Sequence, residues 1–361
     1  KHGDVAFNLI AEGKKRMEHV KPGFIKDRYM FQLLRLYFIS NKLEEGLTFY
    51  REQFPKLSVR NSMQYRIMGI GAGMLYKQKK YAEANYIYSL IYDQNEIMKR
   101  SAATSFHPQE ETDWNACLNF ATTTREKTVL WQLLGIYADP LRAMKEIDKL
   151  DPASELQDLL LTRAINLEEE RVLPIRNSYD TLDTVYGFKR NRLNKELVNF
   201  ISATAKKENT NKPYLWHLTA GYVSIMQGDY KNAEVSFANV KKQAATDSLV
   251  LDQVRAFELI SFVEQEKKLD AAFESEQFEA INCLNASPKD NGLRNASLFE
   301  RLLRRLSEKY NAAGEIAKAQ CLNVNADNFF YADDRKIQKM ITYMDKPNKT
   351  AFDTYIQNIY P

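Results

Sequence analysis

The stretch LWHLTAGYVSIMQGDYKNAEVSF, residues 215–237, decides the fold class of this chain. Apolar residues recur with helical spacing on both sides of Gly228, so the stretch predicts two helices joined by a short turn. The small residues Gly221 and Ala233 fall where two antiparallel helix axes come nearest, and Phe237 supplies the volume that such a contact needs. We therefore predict a tightly packed helix hairpin.

This hairpin pattern resembles a tetratricopeptide repeat, and weaker copies of it occur elsewhere in the chain. In each copy, one position of the second helix holds a small residue, as Ala233 does. These residues are Gly46, Ala84, Ala233, Ala272 and Ala319. Gly46 and Ala84 are 38 residues apart, whereas a regular array repeats about every 34 residues. The resemblance implies an all-α, tetratricopeptide-like α-α superhelix, which is a solenoid of divergent helix hairpins.

The remaining sequence is also helical in character. Glycine (13) and proline (10) are scarce in 361 residues, and strict apolar–polar alternation over a strand length is missing. Polar, turn-rich breaks are predicted at residues 100–113, 172–186, 206–213 and 285–292. The second break suggests an N-terminal part, 1–175, and a C-terminal part, 176–361, that we expect to continue as one solenoid.

A second resemblance concerns KDRYMFQLLRLYF (residues 26–38) and residues 125–166. These strings are similar to large uncharacterised helical-repeat proteins of Bacteroidota. The resemblance implies export to the periplasm or cell surface and brings no catalytic residues. Because the chain begins at Lys1, we expect it to be part of a longer precursor.

The charge and hydropathy patterns give no indication of a nucleic-acid partner or of a membrane span. A net charge of +4 requires no nucleic-acid partner. The basic segment 188–212 is typical of a solvated helix face and loop. No apolar run approaches the roughly 18–20 residues that span a bilayer, so we predict no membrane span.

Catalytic and metal-binding patterns are missing from the sequence. Gly69, Gly71 and Gly73 lie inside a helical pattern rather than between a strand and a helix, so they favour close helix packing over a phosphate loop. The four histidines lie in unrelated segments, and none has a second ligand at metal-site spacing. We therefore predict a protein that is not an enzyme and has no catalytic residue, no metal and no cofactor.

The most consistent function is a scaffold that binds an unidentified protein or peptide on the concave face of a solenoid. The alternative is a cell-surface glycan-binding protein of a nutrient-uptake system, because tyrosine and tryptophan can stack on sugars. Trp114, Trp131 and Trp216 are the candidate platforms, although helical spacing favours core packing for the last two.

Repeat numbering gives the candidate binding residues. In tetratricopeptide arrays the first helix of each pair lines the concave groove. Counting from the small residue of each repeat, the groove positions include Arg28, Phe31, Arg35, Arg66, Tyr76, Lys77, Tyr222, Arg301 and Arg304. We expect a groove that is basic towards its ends and apolar in the middle, which suits an extended or helical segment carrying carboxylates.

Overall fold

The computed structural model describes residues 2–57, 61–173, 187–266, 268–286, 295–323 and 330–359. Within these ranges every regular element is helical, so the prediction of an all-α chain is confirmed. The contacts divide the chain into two compact units, Lys1–Leu161 and Thr162–Pro361. The predicted break at 172–186 lies almost entirely outside the described residues, and so does most of the break at 285–292.

The first unit contains nine helices and the start of a tenth among its described residues. These are α1 (His2–Glu18), α2 (Phe24–Ile39), α3 (Leu43–Gln53), α4 (Ser62–Lys77), α5 (Tyr81–Gln94), α6 (Glu96–Ser105), α7 (Glu111–Phe120), α8 (Thr124–Tyr137), α9 (Pro140–Leu150) and α10 (Leu156–Val172). A short 3-10 turn, Phe54–Lys56, follows α3.

The second unit begins within α10. Its other described helices are α11 (Lys195–Lys207), α12 (Pro213–Gln227), α13 (Tyr230–Gln243), α14 (Ser248–Gln265), α15 (Ala271–Ala286), α16 (Asn295–Ala312), α17 (Ile316–Leu322), α18 (Asp334–Met344) and α19 (Ala351–Ile359). Two 3-10 turns, Arg190–Arg192 and Phe330–Ala332, complete the described elements.

Four helix hairpins share one turn: α2–α3, α4–α5, α12–α13 and α16–α17. A residue with positive φ follows the first helix in each within one or two positions, and these residues are Asn41, Lys79, Gly228 and Gly314. The next residue donates its N–H to a carbonyl five positions back at 2.8–2.9 Å; the pairs are Lys42–Tyr37, Lys80–Leu75, Asp229–Ser224 and Glu315–Tyr310. These bonds satisfy carbonyls that the helix end would otherwise leave unpaired.

The small residue of each hairpin lies four positions after that donor. Its N–H returns a hydrogen bond to the donor's carbonyl, and all four small residues are buried: Gly46, Ala84, Ala233 and Ala319. Hairpin α8–α9 repeats the pattern without a positive φ, with Ala143 as its small residue. Pro140 opens α9, where its missing N–H costs no helical bond.

Two sequence predictions are corrected. Ala272 does not lie at a close helix contact, because it is exposed, whereas Phe273 is buried and stacks on Phe262 with ring centroids 5.6 Å apart. The predicted break at 100–113 is too long, since α6 continues to Ser105 and α7 begins at Glu111. The break at 206–213 is confirmed between α11 and α12.

Candidate functional site

A cleft of about 520 Å³ lies in the first unit and is lined mainly by α2, α4 and α6. We call it the α2–α4–α6 cleft. Helices α2 and α4 open two consecutive hairpins, α2–α3 and α4–α5. The groove positions of α2 and α4 therefore face a common space. The third, α6, follows α5 after a break at Asn95, whose side chain accepts a hydrogen bond from the Met98 N–H and caps the new helix.

The floor of the cleft is apolar. It is formed by Phe31, Phe38, Ile70, Ile91 and Met98. These side chains are partly or fully covered by the unit itself, whereas Ile39, which also lines the cleft, is 73% exposed. An exposed isoleucine that adjoins an apolar cleft extends the surface from which a ligand could exclude water.

Two glycines of α4 deepen the cleft. A β-carbon at Gly73 would lie 3.2 Å from Phe38 Cε2, so packing of the unit itself favours glycine there. At Gly69 the nearest atom to such a carbon is Ile91 Cδ1 at 3.9 Å. Glycine in a helix interior costs roughly 0.5–1 kcal/mol relative to alanine, and no contact within the unit requires it at position 69.

Two arginines stand at the edge of the apolar floor. Arg35 is exposed, its guanidinium carbon lies 5.7 Å from the centroid of the Phe31 ring, and it donates a long hydrogen bond of 3.4 Å to Gln32 Oε1. Arg66 is exposed on α4. Among the residues that the structure describes, neither guanidinium forms an ion pair with a carboxylate. Both can therefore donate forked hydrogen bonds to a ligand's carboxylate.

The opposite wall carries hydroxyl groups. Ser101 and Ser105 of α6 line the cleft, and so does Tyr88 of α5. Burial raises the pKa of Tyr88 to about 12, so its hydroxyl stays protonated at neutral pH. The cleft thus combines an apolar floor, a cationic edge and a neutral polar wall.

Three of the predicted binding residues meet in this cleft. Phe31, Arg35 and Arg66 come from two different helices and line one space. Phe38 of α2 also lines the cleft, beside Gly73. Whether these residues contact a partner stays a prediction.

The other three predictions in this unit lie outside the cleft lining. Arg28 is exposed one turn before Phe31. Tyr76 donates a hydrogen bond of 3.0 Å to the His107 carbonyl, which ties it to the loop after α6. Lys77 is exposed, and its ammonium lies 4.1 Å from the centroid of the Phe38 ring.

The predicted residues of the second unit belong to its interior. Tyr222 is buried and donates a hydrogen bond of 2.5 Å to Glu169, and Arg301 bonds to both of these side chains at 2.9 Å. Arg304 is 4% exposed and forms an ion pair with Glu300 at 2.9 Å. The expectation that these positions are open to a ligand is therefore corrected: burial and internal pairing occupy Tyr222 and Arg304, and Arg301 is largely covered.

Sequence reasoning missed the contribution of α6. Met98, Ser101 and Ser105 have no place in the repeat numbering, because α6 is an extra helix after the hairpin. The available signal was the Asn95-Glu96 pair, in which an asparagine cap precedes an acidic first turn.

All three tryptophans are buried. Trp216 is fully covered, and Trp114 and Trp131 pack edge to face with centroids 4.8 Å apart. The core-packing interpretation is confirmed for Trp131 and Trp216, and Trp114 is buried as well, so none of the three offers a platform on which a sugar could stack.

Comparisons with known proteins give no match to a family model, a curated protein or a solved structure. Among the described residues, no group of three or more histidine, cysteine, aspartate or glutamate side chains could hold a metal ion. No helix within the described ranges combines the length and apolar character needed to cross a membrane.

Proposed function

We propose that this chain is a non-catalytic scaffold of tetratricopeptide-like hairpins that binds a peptide segment of a partner protein. The turn that four hairpins share and the buried small residue that five hairpins share support the repeat assignment. The continuation of these hairpins into one solenoid, and the location in the periplasm or at the cell surface, are part of the same proposal.

One observation carries the proposed function. Positions selected by repeat numbering alone, Phe31, Arg35 and Arg66, line one cleft with an apolar floor. A volume of about 520 Å³ accommodates a few large side chains, and pockets of this size are typical ligand sites.

The lining chemistry favours a particular kind of segment. The apolar floor would bury large aliphatic or aromatic side chains of the ligand. Arg35 and Arg66 would pair with carboxylates that flank those side chains. The described lining contains no histidine, cysteine, aspartate or glutamate, and its composition suits recognition rather than proton transfer.

Selection from a phage-displayed library of random peptides tests this proposal. The full chain is the target, and the double variant Arg35→Ala/Arg66→Ala is screened in parallel. We expect the unmodified chain to enrich peptides in which aspartate or glutamate flanks large apolar residues. The double variant should bind the enriched peptides at least about tenfold more weakly, since each charge-assisted hydrogen bond contributes about 1.5–3 kcal/mol.

A matched control removes the same charge outside the cleft. Lys21 and Lys56 are exposed in the first unit, and neither lines the cleft nor occupies a groove position. The variant Lys21→Ala/Lys56→Ala should bind the selected peptides like the unmodified chain. Failure to enrich any acidic-apolar peptide, or equal affinity in the chain and in the arginine double variant, would refute the proposal.

A further inference from the structure

A second cavity, in the second unit, opens above a buried network of charges. Lys318 of α17 is 6% exposed, and its ammonium lies 2.5 Å from Glu274 Oε1 and 3.2 Å from Asp353 Oδ1. The two carboxylates come from α15 and α19 and are also buried. A buried lysine is tolerated only when opposite charges compensate it.

The network is electrically balanced. Lys346 donates a hydrogen bond of 2.8 Å to Asp353 Oδ2, so two ammonium groups face two carboxylates. The hydroxyls of Tyr310 and Tyr343 donate to Glu274 and Asp353 at 3.1 and 3.0 Å. The carboxylate oxygens of the floor are therefore already engaged by donors of the protein.

The cavity above this floor has a volume of about 690 Å³. One face of α18 forms its wall, with Arg335, Gln338, Lys339 and Thr342 at positions i, i+3, i+4 and i+7. Glu315, which is exposed, also lines the cavity. The wall thus presents long polar side chains that are mostly hydrogen-bond donors.

The side chains of this wall carry more hydrogen-bond donors than the cavity has free acceptors. Lys339 and Gln338 are exposed, and among the described residues neither side chain has a hydrogen-bond or ion-pair partner. Arg335 is 92% exposed and contacts Asp333 at 3.5 Å, which is a weak surface pair. Three of the four oxygens of the floor carboxylates already accept from lysine or tyrosine, and the Thr350 hydroxyl lies 3.5 Å from the fourth, Glu274 Oε2.

We propose that this cavity binds a small anion with several oxygen atoms, such as an organic phosphate or a polycarboxylate. Arg335 and Lys339 bind its charged oxygens, and Gln338 and Thr342 supply neutral donors. The paired charges of the floor leave this recognition to the wall. Phosphate and carboxylate share this recognition chemistry, since both accept charge-assisted hydrogen bonds. The site is independent of the cleft in the first unit.

Calorimetric titration of the full chain with pyrophosphate and with citrate tests this proposal. Both titrations are made at an ionic strength held constant with sodium chloride, so that general screening is the same throughout. We expect saturable binding of at least one of the two probes, and the stronger one identifies the ligand as a phosphate or a carboxylate. In Arg335→Ala/Lys339→Ala the dissociation constant should rise about tenfold or more.

The control removes two lysines of the same unit. Lys231 and Lys242 of α13 are exposed and do not line the cavity, so Lys231→Ala/Lys242→Ala should bind like the unmodified chain. The conservative variant Lys339→Arg, which keeps the charge, should retain most of the affinity. Absence of saturable binding of either anion, or equal loss in the wall and control variants, would overturn the proposal.

Discussion

Gly221 faces the ring of Phe237 so closely that a β-carbon on the glycine would lie 2.3 Å from Phe237 Cε1. The contact joins α12 to α13, and both residues are buried. The glycine thus allows the aromatic ring to fill the space between the two helix axes. In the sequence, Gly221 lies twelve positions before Ala233 and Phe237 lies four positions after it. The contact is therefore the close packing that this pattern of small and large residues predicts.

Replacing Gly221 by alanine should destabilise the chain even though alanine is the better helix former. The added methyl group must displace the Phe237 ring, and overpacking of this kind costs about 1–3 kcal/mol. Gly69→Ala is the matched control, because a β-carbon there makes only an ordinary contact of 3.9 Å with Ile91 Cδ1. This variant should stabilise the chain by about 0.5–1 kcal/mol. Chemical unfolding followed by circular dichroism measures both; a stable Gly221→Ala variant would contradict the packing described.

Substitution by leucine tests which of the predicted small residues lie at close helix contacts. Ala233 is fully buried between α12 and α13, whereas Ala272 is exposed. We expect Ala233→Leu to lose about 1–3 kcal/mol and Ala272→Leu to change stability by less than about 0.5 kcal/mol. Equal losses in the two variants would show that position 272 is a close helix contact after all.

Removal of the Lys318 ammonium should strongly destabilise the second unit. The variant Lys318→Met leaves Glu274 and Asp353 buried with one fewer cation, and breaking a buried pair in this way costs about 3–5 kcal/mol. Lys346→Met, which removes a partly exposed partner of Asp353, should cost clearly less. Thermal unfolding of the two variants provides the comparison, and an equal or smaller loss for Lys318→Met would contradict the account.

Asp353 should make stability depend on acid pH. Burial opposes its ionisation, but hydrogen bonds from Lys346 and the Thr350 N–H and the charge of Lys318 outweigh burial and hold its pKa below the ordinary 3.8. A depressed folded-state pKa contributes stability that is present above the unfolded value and is lost as the pH falls towards the folded value. We therefore expect a loss of stability below pH 3.8.

The variant Asp353→Asn tests that expectation. It should be less stable than the unmodified chain at neutral pH, and its stability should fall less between pH 3.8 and stronger acid. Urea unfolding at a series of pH values gives both curves. Parallel curves for the two proteins would show that Asp353 does not contribute to acid sensitivity.

Much of the hairpin architecture could be predicted because it depends on local patterns. A small residue four positions after a turn, with helical spacing on both sides, identifies hairpins such as those of Ala84 and Ala233. The error at Ala272 arises because helical periodicity locates a buried face only to within a neighbouring residue. Phe273, one position further on, turned out to be the side chain that packs.

Buried charge was the least predictable feature. In the sequence, Glu274, Lys318 and Asp353 resemble solvated residues, since nothing local distinguishes a paired charge from an exposed one. Their partners lie far apart in the chain and on different helices. Arg304 illustrates the same difficulty, because it occupies a groove position by repeat numbering and is nevertheless buried against Glu300.

The candidate cleft was predictable in part. Repeat numbering identified Phe31, Arg35 and Arg66, because groove positions follow from the register of consecutive hairpins. It could not identify α6, which supplies the opposite wall from outside the repeat pattern.

The affinity of Gly69→Leu for an acidic-apolar peptide selected on the unmodified chain tests the central claim most directly. A β-carbon at position 69 of α4 would lie 3.9 Å from Ile91 Cδ1, so the leucine side chain would fill the cleft beside Ile91 and occupy the space that the ligand needs. Binding in the cleft predicts a dissociation constant at least about tenfold higher than that of the unmodified chain, with the helical signal and unfolding temperature undiminished. An unchanged dissociation constant in Gly69→Leu would contradict the account and show that the peptide binds elsewhere.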